Sequence, residues 1–136
     1  MENIVLNDGK KAYTINEDEN RVIRFNPSDL GILSRTQEII KGIENEIKKN
    51  EKRKNKKNIL DLGDYIKSQI DYVFNSEIAD IVFEKTHPMT SIDGVPYYQQ
   101  FLTAVTPIIL KEAEKERNAS EERMKKYTEK YKKGGE

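Results

Sequence analysis

From Pro96 to Tyr131 the sequence reads as one long helix whose apolar face stops at Leu110. Proline suits a first helical position. Tyr97, Tyr98, Phe101, Leu102, Val105, Ile108 and Ile109 then recur at the spacing of a broad apolar stripe. Beyond Leu110 most residues are charged and few are apolar, so this stretch has little to bury against a core. The chain thus divides into a body that can fold and an extension that stays in water. Pro107 falls inside the apolar half and predicts a kink, with the Thr103 carbonyl left unpaired or bonded to water. In the charged half, one series recurs at alternating steps of four and three: Ala113, Arg117, Ser120, Met124, Tyr127, Tyr131.

The body starts with β-patterned sequence. Ile4-Val5-Leu6 is a short apolar run, and Asn7-Asp8-Gly9 is a tight-turn signal. Tyr13 and Ile15 alternate with Ala12 and Thr14. Glu17-Asp18-Glu19-Asn20 reads as a second turn, and Ile23 and Phe25 alternate again. Three short strands in an antiparallel meander, covered by a helix, are the simplest arrangement. In Asn26-Pro27-Ser28-Asp29 we read a helix start, with asparagine as cap, proline in the first turn and an acid near the positive dipole end. Leu30, Leu33, Ile40, Ile43 and Ile47 follow, with Ile32 and Ile39 beside them, and the helix is expected to fade between Asn50 and Asn58. A second helix is expected from about Ile59 to Phe74, striped by Ile59, Leu62, Ile66, Ile70, Val73 and Phe74. Asn75 would end it in left-handed geometry. Ser76 would cap a short third helix carrying Ile78, Ile81, Val82 and Phe83. Thr86 to Val95 reads as a loop with turns at His87-Pro88 and Asp93-Gly94.

Composition excludes several functions. The 136 residues suit one domain, and 24 basic residues balance 24 acidic ones, so no net charge draws the chain to nucleic acid or anionic membrane. The charge is uneven: Lys48 to Lys57 holds seven basic residues and one acid, while Asn58 to Val105 holds seven acids and two lysines. Such a basic knob and acidic body could pair between copies, one reason to expect a homo-oligomer. The Lys48–Lys57 run lacks interleaved aromatics and a DNA-binding motif, so it reads as a solvated turn rather than a nucleic-acid site. With no cysteine, disulfides, thiolate zinc sites and cysteine nucleophiles are excluded. The opening Met1-Glu2-Asn3-Ile4-Val5 lacks a signal peptide's basic start, and no apolar run approaches the roughly 20 residues of a membrane span, so a cytoplasmic protein is expected.

Catalytic chemistry finds no constellation. His87 is the sole histidine and has no companions at ligand or acid–base spacing, so it reads as a turn residue. Asp61 and Asp64 share a helix side with Asp71 further on, which could suggest a metal-binding face. Acids favouring the helix dipole account for them more simply. No phosphate loop, dinucleotide fingerprint or nucleophile elbow is present. We therefore expect a binding protein with no catalytic residues, metal or cofactor. The Tyr97-Tyr98 and Phe101-Leu102 cluster follows core spacing. Met124, Tyr127 and Tyr131 sit on a helix too polar to bury itself. They read either as a stripe that docks on a partner or another copy, or as tyrosines on the surface of a half-frayed tail.

The pattern resembles the small tail assembly chaperones of long-tailed phages and prophages of Gram-positive bacteria. The residues that carry the likeness are Phe25-Asn26-Pro27-Ser28-Asp29 leading into a helix with Arg35, then Ile70-Asp71-Tyr72-Val73-Phe74 and Asp80-Ile81-Val82-Phe83. An aromatic segment at Tyr98-Gln99-Gln100-Phe101-Leu102 and a lysine-tyrosine tail complete it. Glycine would be expected after each of the two phenylalanines, where this chain has Asn75 and Glu84. Asparagine can take the same geometry; glutamate takes it less readily, so the third helix is expected to run on past Phe83. The resemblance implies a chaperone that coats a long helical tape-measure protein in the bacterial cytoplasm while the tail tube polymerises, and is then displaced. Other roles left open are a structural protein of the mature tail and a small nucleic-acid-associated protein using the basic turn. The fold expected is α+β and predominantly helical: a meander over 1–25 packed on a helical body over 26–110, and a charged, kinked C-terminal helix over 111–136.

Overall fold

The computed structural model describes the backbone of residues 1–51 and 56–134, and the side chains of these residues except 56, 57 and 132–134. The fold is α+β and mainly helical, with a short antiparallel sheet near the N-terminus and a long C-terminal helix. In chain order the elements are β1 (Lys11–Ile15), β2 (Asp18–Phe25), α1 (Gly31–Asn50), α2 (Lys56–Phe74), α3 (Ala79–Val82), β3 (Ser91–Ile92), β4 (Val95–Pro96) and α4 (Tyr97–Gly134).

The expected meander is a two-stranded hairpin. Ile4-Val5-Leu6 forms no strand, and Asn7-Asp8-Gly9 makes no hairpin turn. Asn7 and Asp8 instead accept the Gly9 and Lys10 amides through their own side chains, which satisfies the backbone locally. The turn joining β1 to β2 is Asn16-Glu17, both at positive φ, the geometry that matches strand twist in a two-residue loop. Pairing runs from Lys11 opposite Phe25 to Thr14 opposite Val22, then shifts so that Ile15 faces Asp18. Period two puts Arg21, Ile23 and Phe25 on one face, and all three are buried.

Asn26 to Asp29 is a turn ahead of α1 rather than its first turn. Asn26 accepts the Ser28 amide and Asp29 accepts the Gly31 amide. Of the expected stripe Ile43 is buried and Ile40 and Ile47 pack against the core, Ile32 and Ile39 beside it are buried, and Leu30 and Leu33 are exposed. α2 begins earlier than expected; its Ile66, Ile70, Val73 and Phe74 are buried and Ile59 is exposed. The two helices are antiparallel. Arg35, near the start of α1, donates to the Val73 carbonyl at the end of α2 at 2.8 Å and also pairs with Asp29. Glu38 accepts the Tyr72 hydroxyl, and Gly42 faces that of Tyr65. Most of the lysine-rich run lies outside the described residues; Lys48 and Lys49 sit in the last turn of α1, where cations favour the helix dipole.

Asn75 takes the left-handed geometry expected of it, with φ at 49°. The cap of α3 differs from expectation. Ser76 donates to the Arg24 carbonyl, while Asp71 reaches over from α2 to accept the Ile78 and Ala79 amides. α3 stops at Val82 instead of running past Phe83, because the buried Arg21 guanidinium takes the Ile81 and Val82 carbonyls at 3.3 and 2.7 Å. The loop after it holds a small hairpin, β3–β4, turned at Asp93-Gly94.

α4 is one helix from Tyr97 to Gly134, with Pro107 within it. Its Tyr98, Phe101, Leu102, Val105 and Ile109 complete the core. An aromatic chain ties hairpin, helices and α4 together: Tyr13 on Phe25 (5.1 Å between ring centres), Phe25 on Phe74 (4.9 Å), Phe74 on Phe101 (5.5 Å), and Phe101 on Phe83 (6.3 Å). Such pairs add to the area they bury.

Candidate partner-binding surface

Two of the groups singled out for chemistry, His87 and Asp71, are held in structural hydrogen bonds. His87 bridges the loop to the start of α2. Its Nδ1 accepts the Met89 amide at 3.0 Å, so Nε2 carries the proton and donates to the Ile59 carbonyl at 3.0 Å. Gly63 makes this approach feasible, since a Cβ there would lie 2.6 Å from Nε2. Asp61 and Asp64 are exposed on α2, and Asp71, partly buried, is used on α3. The quoted phenylalanine motifs belong to the core: Phe74 and Phe83 are 3% and 4% exposed. Sequence reading passed over Arg21. Its place on the Ile23–Phe25 face was the available signal, since a charge on a buried face must find partners.

Beyond Ala113 α4 leaves the body, and every residue from Glu114 to Tyr131 is exposed. These 18 residues extend about 27 Å at helical rise. Glu121 and Glu122 precede Lys125 and Lys126 by four positions, the order that favours a helix in water. Met124, Tyr127 and Tyr131 share one side of this rod at 54%, 60% and 70% exposure. The Tyr127 and Tyr131 rings lie 5.3 Å apart, forming one continuous apolar ledge on an otherwise charged surface.

Where the rod leaves the body, Lys11 of β1 binds Glu112 at 2.8 Å. The hydrogen bond from Lys11 holds the Glu112 carboxyl below the usual carboxylate range, and the same bond raises the Lys11 amine. Beside this clamp, an open groove of about 300 Å³ runs between β1 and α4, lined by Tyr13, Ile15, Tyr97, Phe101, Ala104 and Ile108 among others. Nothing in the sequence reading anticipated it. Ile4, Val5 and Leu6 are 85%, 82% and 81% exposed.

No described helix is long and apolar enough to cross a membrane. Among the described residues, no group of three or more His, Asp or Glu could hold a metal ion. Comparison with protein-family models gives no match, and comparisons with curated proteins and with solved structures give none.

Proposed function

We propose that this protein is a tail assembly chaperone of a long-tailed phage or prophage, which acts by binding rather than catalysis and keeps the tape-measure protein soluble in the host cytoplasm until the tail tube surrounds it. The observation that carries the reading is the ledge of Met124, Tyr127 and Tyr131 on a helix that has left its own core. An exposed amphipathic rod can lie along the apolar stripe of another long helix. Three anchors in a charged surface bind weakly per copy, and weak contacts repeated along one partner give a stable but removable coat. Balanced total charge allows copies to sit side by side without strong mutual repulsion. The sequence resemblance supplies the identity of the partner.

The test is co-expression with the tape-measure protein of the same phage or prophage genome. We expect that protein to stay in solution and co-purify with many copies of this chain, and the triple variant Met124→Gln, Tyr127→Gln, Tyr131→Gln to lose the complex. Failure of the wild-type chain to rescue or co-purify overturns the proposal. Recovery of this chain in mature particles would favour a permanent structural role instead.

A further inference from the structure

We propose that the N-terminal segment Ile4-Val5-Leu6 of one copy adds as a strand to the open edge of β1 in a second copy and fills the groove beside α4. The inference does not depend on what the end of α4 binds. β1 pairs only with β2, so among the described residues its other edge offers an unpaired row of backbone donors and acceptors. That edge borders the groove, whose walls are mostly apolar, with Tyr13 and Ile15 on the strand side and Tyr97, Ala104 and Ile108 on the helix side. Backbone pairing along the edge and apolar side chains in the groove are the two parts of strand addition.

The chain itself supplies the occupant. Ile4-Val5-Leu6 has strong strand preference and more than four-fifths of its surface in water. A three-residue apolar run so exposed, next to a polar turn, is a strand lacking a sheet. In its own chain it does not sit in the groove, whose lining includes none of Ile4, Val5 and Leu6. Gly9 is packed on Asn26, where a Cβ would lie 2.8 Å from Oδ1, and Asn26 directly follows the strand paired with β1. This contact fixes Gly9 at the end of the hairpin where β1 begins and β2 ends. The Asx turns at Asn7 and Asp8 satisfy the backbone between the run and β1 without any sheet partner. From there the run is free to reach another molecule. In an added strand Ile4 and Leu6 point to the same side, which puts two anchors into the groove. Reciprocal exchange closes two copies into a two-fold dimer.

Sedimentation of the full chain over a range of concentrations tests this, with circular dichroism as a check on folding. We expect a concentration-dependent dimer. The donor variant Ile4→Asp/Leu6→Asp changes residues that support nothing in their own chain. The acceptor variant Ala104→Arg changes an exposed helical residue to another good helix former. Each should weaken association by at least about a hundredfold, since both exchanges of the two-fold dimer are disrupted and a buried aliphatic anchor is worth roughly tenfold or more. Mixing the two should restore a one-to-one complex, because one retains an intact groove and the other an intact strand. A wild-type chain that stays monomeric to about millimolar concentration, variants that associate as well as wild type, or a mixture that stays dissociated would each overturn the proposal.

Discussion

The two halves of α4 are made of the same backbone and do opposite things. Tyr97 to Ala113 is held by the core: Tyr98 is fully buried and Phe101 joins three layers through Phe74 and Phe83. Glu114 to Tyr131 is held only by being continuous with it. An isolated polar helix of this length is marginal in water because its first turn is costly to form. Here the buried half supplies that nucleus, and the exposed half needs only to propagate. The sequence can therefore afford a helix with almost nothing to bury, and its few apolar residues remain available to something else.

The largest effect should come from the buried half. Phe101→Ala removes a ring that touches both Phe74 and Phe83, and truncations of this kind cost about 3–5 kcal/mol. Denaturant unfolding should show the midpoint fall accordingly. If the loss stays below about 1 kcal/mol, the cavity has closed by repacking and α4 is less firmly seated than its burial implies.

Next comes the support behind Phe83. Arg21 turns the end of α3 by taking two of its carbonyls, and Phe83 follows directly. Arg21→Met keeps the buried stem but leaves those carbonyls without their charged donor, a loss of about 1.5–3 kcal/mol. Hydrogen exchange should rise around Ile81 to Phe83 and in the first turns of α4, while the amides beyond Glu114 keep their rates. A rise in the far half as well would mean that the two halves open together.

How much of this was legible in the sequence follows the same division. The buried half of α4, the left-handed end of α2 at Asn75 and the exposed tail could be read because each depends on local spacing and charge. The meander could not. Ile4-Val5-Leu6 and Asn7-Asp8-Gly9 carry a strand-and-turn pattern, but whether a strand pairs depends on where Asn26 and Gly9 meet. The start of α1 differs for a similar reason: Asn26 to Asp29 satisfies its own amides as a turn, so the helix begins at Gly31 and Leu30 and Leu33 face out, while Ile40, Ile43 and Ile47 pack on the core as expected. Arg21, Asp71 and His87 each bind a backbone group far along the chain, and no spacing rule pairs them with it. The groove beside α4 is bounded by two elements distant in sequence, so it became visible only once they were brought together.

At the border of the halves the clamp of Lys11 on Glu112 gives a smaller, pH-dependent effect. The Glu112 carboxyl titrates below its ordinary range, so its contribution is present above that range and is lost as pH falls through the lowered value. The Lys11 amine is raised, so its contribution is present below the ordinary lysine range and lost as pH climbs through the raised value. Across neutral pH both are charged and the clamp holds. Carbon-detected NMR titration should find the Glu112 midpoint moving back up toward the ordinary carboxylate range in Lys11→Met. An unchanged midpoint would mean that β1 is not tied to α4 by this pair in solution.

The smallest effect on stability should come from the residues that matter most for the proposed binding. Met124, Tyr127 and Tyr131 touch no part of the body. Replacing all three with glutamine, itself a good helix former, removes only the contact between the two tyrosine rings, a pair worth about 0.2–0.5 kcal/mol on a helix surface. Thermal unfolding of the triple variant should stay within about 0.5 kcal/mol of wild type per substitution, as for exposed positions generally. A clear fall in melting temperature would mean that the tail folds back on the body or pairs with another copy, and that its stripe is already occupied. An unchanged melting temperature together with loss of the tape-measure complex would separate the helix's two jobs: one half folds the protein and the other meets the partner.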